Sequence, residues 1–224
     1  MFKIKFICYL YMPIMFGLFI ISCENKEAKK VEPVVSVKDT IEKSQQIEDY
    51  LVLLVDDFDN GKKPNVLGGD FGAWNSSLND YTQGCIDSFD SQNARGGLGY
   101  CLRLDYDVDS PKPAYNGFWT NLSDSDLNDA NQLVFYVKGS ETKGFTTKFK
   151  VELKNTKGEV GSYIVTGVTG VWQRIVIPFN KFEAIKDWHD MKELVIVFDD
   201  INTTQKTGTI FIDDIYFSRE KQVN

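Results

Sequence analysis

The chain has 224 residues, 42% of them hydrophobic and 13% aromatic, enough for one sizeable core and an appendage. Its 25 Lys and Arg against 32 Asp and Glu leave a formal net charge of −7. No basic footprint is available for a phosphate backbone, which excludes nucleic acid as a partner, and the Phe- and Tyr-rich aromatic content favours β-structure.

The first predicted element is an address. "MFKIKF" supplies two lysines, "ICYLYMPIMFGLFII" an apolar run, and "IISC" ends it at Cys23. Residues 1–22 therefore read as a secretory signal peptide. Pro13, Gly17 and the polar flank argue against a membrane-spanning helix. Ile20-Ile21-Ser22-Cys23 resembles a bacterial lipobox. That resemblance implies cleavage before Cys23, acylation of Cys23, and an extracytoplasmic chain anchored by lipid to a bacterial, outer, membrane. The following "ENKEAKK" resembles the export signals of surface lipoproteins. Residues 23–48 then form the acylated cysteine and a charged tether, with a short helix expected around Thr40 to Tyr50. Of the four cysteines, Cys8 leaves with the signal and Cys23 carries lipid. Cys85 and Cys101 remain, either bridged or as half-buried thiols. No CxxC pair supports a zinc site.

From residue 49 to 219 the pattern is one of short apolar runs separated by Gly, Asn, Asp and Pro, and residues 220–224 are a tail. "YLVLLVDDF", "YCLRLDYDV", "YNGFWTNL", "QLVFYVKG", "FTTKFKVELKN", "GSYIVTGV", "VWQRIVIPF", "KELVIVFDD" and "GTIFIDDIYF" read as strands. Nine or ten strands without a long helical pattern predict an all-β, two-sheet antiparallel sandwich. Period-two alternation puts Leu102, Leu104 and Tyr106 on one face and Cys101, Arg103, Asp105 and Asp107 on the other. It likewise turns Leu133, Phe135 and Val137 inward and Val134, Tyr136 and Lys138 outward. Lys148, Lys150 and Lys154 read as a solvated outer or edge surface. Helical turns are expected at "LSDSDLND" and "FNKFEAIKDWHDM".

Little of this carries catalysis. His189 is the single histidine, in a polar stretch with no nucleophile elbow nearby. "LGGDFG" and "RGGLGY" have the wrong spacing for a phosphate loop and read as turns. A glycosidase needs two carboxylates at a defined separation, and the many aspartates single out no pair. "DDFDNG" ends the first strand and "IDDI" lies in the last. First and last strands often pair, so these acids, with carbonyls from "NARGGLGY", form an oxygen set suited to Ca²⁺. Solvent-facing aspartates at alternate positions are the other reading.

The order of "LLVDDFDNG", "NVLGGDFGAW", "GGLGYCLRLDYDV", "NQLVFYVKG", "VWQRIVIPF" and "GTIFIDDIYF" resembles a galactose-binding-like β-jelly roll. It is similar to family-11 carbohydrate-binding modules and to the complex I intermediate-associated protein 30 domain, over residues 51–218. The resemblance implies a two-sheet jelly roll with a structural Ca²⁺ held by Asp57, Asp59 and Asp213, the last with Asp214 as alternative. It also implies an aromatic-lined cleft that binds polysaccharide or oligosaccharide without catalysis. Aromatic faces stack on sugar C–H patches and planar polar groups bond the hydroxyls. Tyr136 is the leading platform, with Arg103, Asp105 and Lys138 on such an outward face. Tyr115, Trp119 and Tyr163 follow, Trp74 and Trp188 rim the cleft, and Trp172 is a structural plug. The implied task is to hold a glycan at the cell surface for partner glycan-utilisation proteins. An assembly scaffold, with a filled or aromatic-poor face, and a small hydrolase or lyase, with carboxylates across an open cleft, are the alternatives.

Overall fold

The computed structural model describes residues 49–77 and 79–220. The signal peptide, Cys23, the tether and residues 221–224 lie outside the described residues. In chain order the strands are β1 (Asp49–Asp56), β2 (Phe71–Asn75), β3 (Gly84–Asp90), β4 (Cys101–Asp107), β5 (Tyr115–Ser125), β6 (Gln132–Gly139), β7 (Lys148–Asn155), β8 (Val160–Thr166), β9 (Gln173–Pro178), β10 (Met191–Asp199) and β11 (Thr207–Glu220). Two 3-10 turns, Arg95–Gly97 and Phe179–Lys181, are the helical elements among the described residues. None there is long and apolar enough to cross a membrane.

The strands form two antiparallel sheets, one of six strands in the order β3-β4-β11-β6-β9 with β1 on β11, and one of five in the order β2-β5-β10-β7-β8. This is the expected β-sandwich. β11 is long enough to pair with β4 through Thr207–Ile212 and then with β1 through Ile215–Glu220. First and last strands thus meet as the sequence predicts.

Alternation builds the core. β4 contributes Leu102, Leu104 and Tyr106, β6 Leu133, Phe135 and Val137, and β7 Phe149, Val151 and Leu153, all buried in one cluster. Tyr106 stacks on Phe198 across the sandwich at 4.2 Å. Phe71 is boxed by Phe58, Phe89 and Phe118 at 5.7–6.1 Å. Each buried aromatic of this size contributes about 2–3 kcal/mol relative to exposure.

Two strands escape the sequence reading. β2, "FGAWN", is short and holds a glycine, and β3, "GCIDSFD", is a polar edge strand with little hydrophobic pattern. Cys85 and Cys101 are both free and buried. Cys85 pairs in register with Tyr106 on the core side of β4, whereas Cys101 lies on the opposite face of that strand, across from Asp90. Burial pushes the Cys101 thiol up to about 12 and the Cys85 thiol up as well. Trp172 is half-buried, and its Nε1 donates to Asn93 O at 3.2 Å, tying the start of β9 to the loop before β4.

Candidate binding groove

The outer face of the five-stranded sheet carries an open groove of about 470 Å³. Register fixes its layout. One row across the sheet reads Trp74 on β2, Gly117 on β5, Val197 on β10 and Lys150 on β7. The next row reads Gly72, Trp119, Val195 and Glu152. A third brings Glu193 beside Lys154. Each tryptophan therefore stands opposite a glycine, and Lys63 Nζ lies over Gly72 beside the Trp119 indole. Gly117 has no alternative, since a Cβ there would lie 1.9 Å from Ile196 O.

One wall is aromatic. Trp74, Tyr115 and Trp119 line it, with the Trp74 and Tyr115 rings 6.1 Å apart at 55° and Tyr115 49% exposed. Tyr115 and Trp119 are four residues apart on one strand, so this wall runs about 13 Å. The opposite wall is ionic. Lys150 Nζ lies 2.8 Å from Glu152 Oε1, and Lys154 Nζ lies 3.4 Å from Glu193 Oε2. Val195 and Val197 form an apolar floor between the walls. Stacking surface on one side and paired donors and acceptors on the other suit a ligand with C–H patches and hydroxyls. The two glutamates share one wall, each beside a lysine. A hydrolytic pair requires carboxylates on opposite sides of the scissile bond.

The structure divides the predicted binding residues into three groups. Tyr115 and Trp119 line the groove, and Trp74 joins them. Tyr136, Arg103, Asp105 and Lys138 lie on the outer face of the other, six-stranded sheet. There Arg103 pairs with Asp105 at 2.8 Å, Lys138 bonds Asn93 Oδ1 at 2.9 Å, and Arg95 lies over Tyr136. Tyr163 pairs with Val151 and packs against the core, so it corrects the expectation of a cleft residue. Trp188 stacks on Phe179 at 3.7 Å and packs on the core, away from the rim. Lys150 and Lys154, read as a solvated face, are groove residues, as are Glu152 and Glu193. The alternation in "KVELK" marks their common face; only strand order shows what that face confronts. His189 is exposed, with Nδ1 2.8 Å from Asp187 Oδ1.

Among the described residues no group of three His, Cys, Asp or Glu is placed to hold a metal ion. Asp59 is exposed, and Asp57 Oδ1 accepts the Asp59 N–H at 3.2 Å. Asp213 is buried; its Oδ2 accepts the Arg95 N–H at 3.0 Å and its Oδ1 the Asp214 N–H at 2.9 Å. The buried carboxylate of β1 is Asp56. Its Oδ1 accepts the Phe58 N–H at 2.9 Å, and its Oδ2 is buried without a hydrogen-bond partner. Burial lifts Asp56 from the ordinary 3.8 to about 6, opposed by the Phe58 N–H. Burial lifts Asp213 to about 7, opposed by the Arg95 N–H.

Two antiparallel sheets around one core, with an open aromatic-walled groove on one outer face, define a β-sandwich binding module. The chain belongs to the Carbohydrate binding domain 30 family, whose model matches residues 68–219. Family membership points to non-catalytic carbohydrate binding. No curated protein matches the chain. Among solved structures it is similar to the family 11 carbohydrate-binding module of the cellulosomal cellulase Lic26A-Cel5E of Clostridium thermocellum. There the identity is 16% and the TM-score 0.55, over 80% of this chain and 98% of that one. It is also similar to a Clostridium thermocellum family 11 module in complex with a beta-1,3-1,4-mixed-linked tetrasaccharide, at 16% identity and TM-score 0.56 over 76% and 97%. An exo-beta-agarase matches at 13% identity and TM-score 0.56, over 77% of this chain and 25% of its own. At these identities the likenesses establish the jelly-roll fold.

Proposed function

We propose that the chain binds a polysaccharide non-covalently in the groove on its five-stranded sheet. The observation that carries this reading is the pairing of the Trp74, Tyr115 and Trp119 wall with the ionic wall of Lys150, Glu152, Lys154 and Glu193. Sugar rings stack on the indoles while hydroxyls exchange hydrogen bonds with the lysines and glutamates. The open aromatic wall favours this reading over an assembly scaffold, which predicts a filled or aromatic-poor face. The mixed-linked tetrasaccharide held by the similar module supports β-glucan as the first probe.

The test is affinity electrophoresis of the full chain through gels containing mixed-linked β-glucan, xylan, mannan, laminarin or alginate. Retardation in at least one gel is expected. Migration equal to that of a non-binding protein in all five gels would overturn the reading.

The module is carried outside the cytoplasm on lipid attached at Cys23, with residues 24–48 as its tether, and holds glycan for partner proteins at the surface. The lipobox-like Ile20-Ile21-Ser22-Cys23 supports this. Cys23→Ser is expected to move the protein from the membrane fraction to the soluble fraction; unchanged membrane association would count against the anchor.

A structural Ca²⁺ belongs to the same proposal, on Asp57, Asp59 and Asp213 with Asp214 as the alternative, as the family resemblance implies, and Asp56, next to Asp57 in the chain, offers a further buried carboxylate oxygen. The partnerless Asp56 Oδ2 supports that donor, because hard oxygen ligands without hydrogen bonds suit this ion.

A further inference from the structure

The outer face of the six-stranded sheet, across the sandwich from the groove, holds a second hollow of about 330 Å³. Leu51, Leu54, Arg95, Tyr136, Asp214 and Tyr216 line it. β11 builds this hollow at a conformational cost. Ile210 and Ile212 point into the core, so strict alternation would send Asp214 inward too. Instead the register of β11 against β6 slips between Asp213 and Tyr216, and Asp214 takes a φ of 46°. Ile215 and Phe217 then fill the core, while Asp214 and Tyr216 emerge beside Tyr136. Positive φ is uncommon away from glycine, and bulges re-aim side chains next to functional sites.

The re-aimed groups have matched partners. The Asp214 carboxylate accepts hydrogen bonds from the Arg95 guanidinium, which lies 4.0 Å from the centre of the Tyr136 ring. The Tyr216 hydroxyl lies 3.4 Å from Nε and from one terminal nitrogen of Arg174, the register neighbour of Tyr136. Leu51 is 57% exposed at the edge of the hollow. The groove's chemistry is repeated here, with aromatic and apolar surface beside an ion pair. An anionic ligand would compete with Asp214 for Arg95. A neutral sugar would instead accept from the guanidinium, donate to the carboxylate and lay its C–H patches on Tyr216 and the leucines.

We propose that this hollow is a second saccharide-binding site, taking a neutral sugar segment of the class the groove binds; in this it rests on the carbohydrate reading of the groove. The two sites lie on opposite faces, so one short oligosaccharide cannot fill both. A long polysaccharide engages the module at two points and is held by avidity.

Titration calorimetry of the full chain with hexasaccharides of mixed-linked β-glucan, xylan, mannan and laminarin, in turn, tests this. The expected result is two sites per chain for at least one probe. Trp119→Ala should remove one and leave the other. Asp214→Asn should weaken the second at least fivefold and leave the groove unchanged. Asparagine tolerates positive φ, so that variant keeps the bulge while breaking the pair with Arg95. One site per chain that is lost in Trp119→Ala overturns the second site and keeps the groove. One site that survives Trp119→Ala and weakens in Asp214→Asn supports the hollow and overturns the groove. No binding of any hexasaccharide to the wild-type chain overturns both.

Discussion

Trp119→Ala is expected to weaken binding in the groove roughly 30- to 100-fold, read as reduced retardation of the full chain in the affinity gel. Trp119 sits at mid-length of β5, between Gly72 on one side and Val195 on the other. On the β2 side the indole Nε1 reaches over Gly72, where Lys63 Nζ also lies, and the valine gives it an apolar floor. A sugar ring stacked there covers about half of the 150–250 Å² that an indole can bury. At about 25 cal/mol per Å², with the added gain of an aromatic contact, that is about 2–3 kcal/mol. Central aromatic anchors of this kind dominate small interfaces. Tyr115→Ala removes a ring at the open end, where solvent already competes, and a smaller loss of roughly 3- to 10-fold follows. Melting temperature is the control, because Trp119 is only half-buried and leaves the core cluster intact. A Trp119→Ala chain that melts normally and is retarded as strongly as the wild type would remove the groove from the binding site.

Much of the sandwich is legible residue by residue. In "CLRLDYD" and "QLVFYVK" the two-residue period separates the core-facing side chains from the outward ones, although the outward Cys101 and Val134 are themselves buried on that other face. Which surface is which is a different quantity. Tyr136 and Trp119 are both outward aromatics on well-patterned strands, yet they face opposite sides of the molecule, since β6 joins β11 and β9 while β5 joins β2 and β10. Strand order is long-range pairing, and no local period reports it. Lys150, Glu152 and Lys154 show the same limit: alternating charge looks identical on a solvated face and on a groove wall. Tyr163 faces the core, which the sequence does not report, because "GSYIVTGV" is apolar at both parities and its alternation does not choose a face. The sequence places the acidic "VDDFD" near "IDDI", and the pairing of β1 with β11 sets Asp56 opposite Ile215. The buried member is Asp56, not Asp57 or Asp59, because the chain leaves β1 after Asp56 and carries the next two acids toward solvent.

The two buried carboxylates, Asp56 and Asp213, lead to the second large effect. In the presence of a chelator the domain is expected to melt about 10 °C or more lower at pH 8 than at pH 5. Asp56 and Asp213 are raised by burial from 3.8 to about 6 and about 7. A carboxyl whose folded value lies above its unfolded value favours the fold while it is protonated. That contribution is complete below about pH 4 and is lost as pH rises through 6 and then 7. Ionising each buried group costs the folded state on the order of 3 kcal/mol. Ordinary carboxylates titrate below pH 5, and the exposed His189, raised by its hydrogen bond to Asp187, adds a loss of the same sign as pH rises. Asp56→Asn should flatten the lower part of the profile and Asp213→Asn the upper part. Asparagine keeps the acceptor for the Phe58 or Arg95 N–H and never ionises. Millimolar Ca²⁺ is expected to restore the melting temperature at pH 8, where both carboxylates are charged and the open Asp56 Oδ2 gains a partner, and to do little at pH 5. A chelated chain that melts at the same temperature from pH 5 to 8 would refute the buried-charge account. A steep profile that Ca²⁺ leaves untouched would keep that account and remove the cation from these two aspartates.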